Sequence, residues 1–238
     1  MSNPSTIASR IAQLRLHIDA LAVAAGRPAG SVHLLPVSKT FSVDAVREAI
    51  ATGITRFGEN KAQEIRDKAA ALAGNGVQWV MIGHLQTNKA KDIAQHAHEI
   101  QSLDRPELAL ALQRRLQAED RKLTALVQVK TSHEPRKYGL DPADLFDFLR
   151  FLASETPRLR VQGLMTMAAN DPDRQVVRDC FRRLRELRDA MQAKAIDGIS
   201  LGRLSMGMSG DYDLAIAEGS TEVRIGSAIF GDRSYTSS

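Results

Sequence analysis

The chain has 238 residues, 43% of them hydrophobic and 25% charged, enough for one compact domain with a substantial core. Its net charge of +4 comes from 32 basic and 28 acidic residues interspersed along the sequence, so no basic segment marks a nucleic-acid binder. The one cysteine, Cys180, excludes an internal disulfide and suits a reducing cytoplasmic setting, and no apolar run reaches membrane-spanning length.

Asn3 and Pro4 read as the cap and first turn of a helix in which Ile7, Ile11, Leu14, Ile18 and Leu21 recur at spacings of four and three. Arg10, Arg15 and Asp19 interrupt any apolar stretch there, so no secretory signal is expected. "HLLPVSK" is the first strand, and "SVDAVREAIATG" a helix capped by Ser42 and stopped at Gly53. "RFGEN" runs into the helical "KAQEIRDKAAAL"; "VQWVMIG" is the third strand, "NKAKDIAQH" a short helix and "EIQSLD" the fourth strand. Pro106 opens a helix with Leu108, Leu112 and Leu116 four apart, and "LTALVQVKT" follows as the fifth strand. Asp141 and Pro142 cap the next helix, and "LRVQGLMTMA" supplies the sixth strand.

A long helix spans about Asp173 to Lys194, with Arg182, Arg185 and Arg188 on a solvated face and Cys180 among Val177, Phe181 and Leu184 on the apolar one. "RLSMG" and "EVRIGSAIF" read as strands seven and eight, separated by the helical "DYDLAIAEG". Eight such repeats after an extra N-terminal helix predict a single (β/α)8 TIM-type barrel, with a doubly wound open sheet left open by the periodicity. No Pro-, Gly- or Ser-rich linker interrupts the sequence, so residues 1–238 are expected to form one domain.

Barrel chemistry sits at the C-terminal ends of strands, so the polar residues there are the candidates. Lys39 ends strand one, Glu59 and Asn60 end strand two, and His84 follows strand three. A lysine at a strand end either reaches solvent or, with a buried stem, offers a neutral amine able to attack a carbonyl. In "LSMGMSGD" and "RIGSAIFG", Gly207, Gly210, Gly226 and Gly231 with Ser209 and Ser227 fit an anion cradle, although tight turns use the same residues. Arg224 shares a strand face with Gly226, where an internal ion pair and a ligand contact are equally compatible. A phosphate cradle plus a reactive amine suggests a phosphorylated carbonyl compound, such as pyridoxal 5'-phosphate (PLP) or a sugar phosphate. His96 and His98 have the spacing of one strand face but lack the partners of a metal site, and no nucleotide-binding glycine motif occurs.

Taken in order, "LLPVSKTF", "RFGENKAQE", "WVMIGHLQTNKAK", "SLDR", "KYGL", "VQGLMTM" and "LSMGMSGDYDLAIAEGSTEVRIGSAIFG" resemble the PLP-binding homeostasis proteins, the YggS/PROSC family, from Leu34 to Gly231. That family is similar to the N-terminal barrel domain of alanine racemases and holds PLP as a lysine aldimine. The resemblance implies Lys39 as the Schiff-base lysine, Ser209, Gly226 and Ser227 as the phosphate site, and Arg224 facing the pyridine nitrogen. Asn60 and His84 would line the pocket, with Met206 packing on the ring. Ser227 departs from the usual threonine of the family but keeps the hydroxyl, and Tyr138 in "KYGL" falls at a variable position.

An arginine at the ring nitrogen leaves that nitrogen unprotonated and weakens the cofactor as an electron sink. A racemase also needs a second acid or base, which in alanine racemases comes from a C-terminal domain and a neighbouring subunit. The sequence runs eight residues beyond Phe230, so no such domain is expected. The expectation is therefore a monomeric cytoplasmic PLP carrier that buffers and releases the cofactor without turnover. PLP-requiring apoenzymes are candidate recipients, nucleic acid and membrane are not expected partners, and no metal is expected. The alternative is a PLP-dependent amino-acid racemase or other PLP enzyme.

Overall fold

Helix α1 (Ile7–Ala24) begins at Thr6, whose side chain accepts a hydrogen bond from the Ser9 N–H, in a computed structural model that describes residues 6–134 and 137–231. The cap expected at Asn3 lies outside the described residues. Beyond α1, strands and helices alternate as β1 (His33–Pro36), α2 (Val43–Ile50), β2 (Arg56–Glu59), α3 (Ala62–Ala71), β3 (Gln78–Met81), α4 (Ala90–His96), β4 (Ala97–Leu103) and α5 (Pro106–Ala118). The second half continues as β5 (Leu123–Gln128), α6 (Leu145–Glu155), β6 (Leu159–Met165), α7 (Arg174–Gln192), β7 (Arg203–Ser205), α8 (Tyr212–Ala217), β8 (Glu222–Ile225) and α9 (Ser227–Phe230). Short 3-10 turns at Thr87–Lys89 and Pro142–Asp144 lead into α4 and α6.

All the strand pairs are parallel, in the order β1-β8-β7-β6-β5-β4-β3-β2. The two ends of that order meet at a parallel bridge between Val37 and Gly58, supported by the Ser38 N–H donating to the Gly58 carbonyl at 3.0 Å. The sheet is therefore a nearly closed barrel with helices between its strands, and the open-sheet alternative falls. Between sheet and helices, Phe57, Trp79, Phe181, Ile65 and Ile93 are fully buried, which is why the strands read as near-continuous apolar runs.

The expected strands overrun the ladders at several exits. Strand eight was expected to reach Phe230, but the ladder ends at Ile225 and the chain turns at Gly226 into α9. Strand one stops at Pro36, with only Val37 bridging beyond it, and strand five stops at Gln128. Past these points pairing thins to isolated bridges, Val37 to Gly58 and Val129 to Leu140, while Ile229 and Phe230 bury as part of α9.

Near the N-terminal ends of the strands the barrel interior is closed by charge. Arg56 donates to Glu222 at 2.7 Å and to Glu99 at 2.9 Å, while Arg203 donates to both Glu99 oxygens at 2.9 Å and to Glu222 at 3.1 Å. Burial would raise the Glu222 carboxyl, but Arg56 and Arg203 outweigh it and hold the group below its ordinary range. Two arginines and two glutamates cancel, so the plug is neutral and hydrogen-bonded as a buried ion set requires. Replacing one partner strands the others. Glu222→Ala is expected to lower stability in urea unfolding by about 3 kcal/mol, and a loss below about 1 kcal/mol would contradict this account of the plug.

Candidate functional site

At the opposite, C-terminal end of the barrel lies a cavity of about 490 Å³, within the range of small-molecule sites. Lys39, Asn60, His84, Ser209, Arg224, Gly226 and Ser227 all line it, together with apolar Val37, Phe41, Ile82, Met167 and Met208. Met206 does not: it is fully buried in the core, in the layer behind the wall. A second concavity of about 340 Å³ at the other end of the barrel includes Arg15, Asp19, His33 and Arg56, but the Arg56 charge is already spent on Glu99 and Glu222.

Arg224 is brought inward by strand alternation in β8 and is almost fully buried. Its guanidinium donates to Ser205 Oγ and to the Thr166 carbonyl, both at 2.8 Å. Burial pushes its pKa down to about 10, against the opposing pull of Glu222 and Asp211, so it stays protonated at neutral pH. The Ser205 hydroxyl donates in turn to Gln101 Oε1 at 2.6 Å, and Gln101 donates to Glu99 and Glu222. Each group in this row is thereby fixed as donor or acceptor, from the charged plug up to the cavity wall.

The serines come from two turns. Gly207, at φ +96°, lets the chain leave β7 in a left-handed conformation, and a Cβ there would lie 2.7 Å from the Ala215 side chain. Asp211 accepts from the Met208 N–H at 2.6 Å and pins the turn that carries Ser209; burial raises its carboxyl, the Met208 N–H and Arg224 opposing. Gly226 allows β8 to pass close to β1, since a Cβ would sit 3.2 Å from the Val37 carbonyl. The Ser227 and Ser209 hydroxyls then stand 3.3 Å apart. The two hydroxyls stand beside open space at Gly210, where each can donate or accept a hydrogen bond.

His84 and Tyr138 stack at the rim, with ring centroids 3.9 Å apart and planes 16° from parallel, and the His84 Nδ1 lies 3.8 Å from Asp104. Phe41 stacks on Phe230 at 5.0 Å on another side. His96 ends α4 while His98 lies in β4, so the two do not share a strand face. Among the described residues no group of three or more His, Cys, Asp or Glu is placed to hold a metal ion.

Glu59, singled out with Asn60 as a polar strand end, points away from the cavity toward α3. There its Oε1 accepts from Lys68 Nζ at 2.6 Å and from Ser38 Oγ at 2.7 Å. Lys68 also donates to the Ser38 carbonyl at 2.7 Å and reaches Glu64 at 3.5 Å, and Glu64 accepts from the Thr40 N–H at 2.8 Å. The Glu64 to Lys68 spacing of one helical turn in "KAQEIRDKAAAL" was the available signal for this cluster, but such pairs usually lie in solvent. Asp211 and Met167 were likewise not expected at the site.

The sequence from residue 10 to residue 234 matches the family described as "Alanine racemase, N-terminal domain". The pyridoxal phosphate homeostasis proteins of Pseudomonas aeruginosa and Escherichia coli are 42% and 40% identical over 97% of this chain, covering 97% and 98% of their own lengths. Among solved structures, PipY of Synechococcus elongatus with PLP bound superposes with a TM-score of 0.83 at 35% identity, over 95% of this chain and all of that one. The alanine racemase of Streptomyces coelicolor shares the fold at a TM-score of 0.72 and 19% identity, with 58% of its chain covered. The chain belongs to the pyridoxal phosphate homeostasis protein family, on the barrel of the alanine racemase N-terminal domain.

Burial raises the Glu59 carboxyl from an ordinary 4.5 to about 7, against the opposing charge and hydrogen bond of Lys68. Its buried Oε2 has no hydrogen-bond partner among the described residues. Folding therefore favours the protonated form, and the stability this group contributes is present below about pH 4.5 and lost as pH rises through 7. Glu59→Gln cannot ionise. Its stability relative to the parent in urea unfolding should improve by about 2 kcal/mol between pH values of about 5 and 8, and a pH-independent difference would count against the raised pKa.

Proposed function

We propose that this chain binds PLP in the cavity at the C-terminal end of the barrel, held covalently through Lys39, and stores and releases it in the cell. One observation carries the reading: an amine, a pair of serine hydroxyls and a buried guanidinium line the same cavity. The names of the relatives, and the PLP bound in the PipY structure, support it.

Bound PLP supplies an aldehyde that condenses with a primary amine, releasing one water as the nitrogen–carbon bond forms, and a ring that can accept electrons. Lys39 provides the amine, and hydrolysis of the same bond returns both partners unchanged, as a reversible store needs. Ser209, Ser227 and the Gly226 backbone hold the phosphate. Arg224 addresses the ring nitrogen as a donor that keeps its own proton, so the ring stays a poor electron sink. Asn60 and His84 complete the wall, and Met206 packs behind it.

A racemase is the competing reading, and the Tyr138 phenol and His84 imidazole at the cavity wall are what favour it. Tyr138 is 55% exposed, however, and no described contact aims its hydroxyl into the cavity. A carrier acting as a cytoplasmic monomer of one domain, with PLP-requiring apoenzymes as recipients, fits the site better.

The purified protein should take up PLP with a visible absorbance band that Lys39→Ala abolishes. Ser209→Ala with Ser227→Ala should weaken retention about tenfold or more; undiminished retention would place the phosphate elsewhere. Carrier and enzyme separate by α-proton exchange of L-amino acids in deuterated water. The PLP-loaded protein is expected to show none at enzymatic rates, and turnover of about one per second or faster would make it an enzyme.

A further inference from the structure

Lys39 lies just past the β1–β2 seam, where among the described residues a single bridge, Val37 to Gly58, pairs the two strands. Its neighbour Ser38 makes the last hydrogen bond of the β1–β2 seam, to Gly58, and the chain then turns, with the Phe41 N–H closing back on the Ser38 carbonyl at 3.1 Å. Inside that turn Thr40 has φ +68°, a left-handed conformation unusual for a β-branched residue.

The direction of the Lys39 side chain is set by the two peptide planes that flank its Cα. The plane before it carries the Ser38 carbonyl, which accepts from Lys68 Nζ at 2.7 Å. The plane after it carries the Thr40 N–H, which donates to Glu64 at 2.8 Å. Lys68 joins the two, bonding Glu59 at 2.6 Å and Glu64 at 3.5 Å, and its ammonium is nearly buried between α3 and the strand ends. Glu59 also holds the Ser38 hydroxyl and immediately precedes Asn60, a cavity residue of the facing strand exit.

We propose that Lys68 and Glu64, with Glu59, are positioning residues that aim the Lys39 amine by fixing the peptide on each side of it. None of the three lines the cavity, so they act through Lys39 and not on the ligand. The proposal rests on the PLP reading above and deepens it. It predicts a split between two ligands: PLP, which bonds to Lys39, and pyridoxine 5'-phosphate, which has the same ring and phosphate but no aldehyde.

Both ligands would be titrated into the parent, Glu64→Ala, Glu64→Gln and Lys68→Met, with binding read by intrinsic fluorescence and the Lys39 bond by visible absorbance. Glu64→Ala and Lys68→Met are expected to lose PLP affinity about tenfold, with the visible band reduced, while pyridoxine 5'-phosphate binds within about twofold of the parent. Glu64→Gln keeps a carbonyl acceptor for the Thr40 N–H and should recover most of the loss. Glu64 is half-buried, so its variants report even where Lys68→Met fails to fold. Equal losses for both ligands, no loss for either, or a Glu64→Gln variant as impaired as Glu64→Ala would overturn the proposal. A parent that binds neither ligand would instead overturn the PLP reading, and this proposal with it.

Discussion

A parallel barrel must join its first and last strands in space, and here that closure rests on the seam between β1 and β2. Most neighbouring pairs in the sheet order are joined by ladders of three to six residue pairs, whereas among the described residues this one has a single bridge, Val37 to Gly58, as sparse as the one pair, Ser205 with Glu222, between β7 and β8. Side chains supply what the backbone does not. Ser38, Glu59 and Lys68 tie the two strand ends to each other and to α3 on the helix side, leaving the inner face to Val37, Lys39 and Asn60. The short seam places Lys39 just beyond the last bridge, and it also makes the amine's position depend on buried charge.

Charge is handled differently at the two ends of the barrel. At the N-terminal end two arginines and two glutamates neutralise each other and seal the interior. Toward the cavity, Arg224 rests on Ser205 and a carbonyl with no direct ion pair among the described residues; Glu222, linked to it by hydrogen bonds through Gln101 and Ser205, and Asp211 act on its charge from a distance. A guanidinium held by neutral acceptors keeps its donors in place without a carboxylate in direct contact. That suits recognition of a ring nitrogen and anionic ligand at the cavity wall.

The order of elements was legible because buried parallel strands produce uninterrupted apolar runs between amphipathic helices. The rim was legible too, since polar residues at strand exits have few structural uses, and Lys39, Asn60, Arg224 and the two serines all stand on one cavity. Ladder ends were not: Ser227 and Ala228 continue a small-residue pattern after β8 has ended and the chain has turned into α9. Depth was also hidden. Met206 lies two residues from Met208 in the same motif, yet one is in the core and the other in the wall, a difference set by the Gly207 turn between them. Nothing in the helical pattern of "KAQEIRDKAAAL" marks the depth of Lys68, and only the fold shows α3 laying it over the β1–β2 exit.

The central claim is that Lys39, among all the lysines of the chain, is the residue that bonds to PLP. Borohydride reduction of the loaded protein, followed by proteolysis and mass spectrometry, tests it directly. The account predicts one reduced pyridoxyl phosphate group per chain, on the peptide containing Lys39. A modification spread over other lysines, or absent from that peptide, would contradict it.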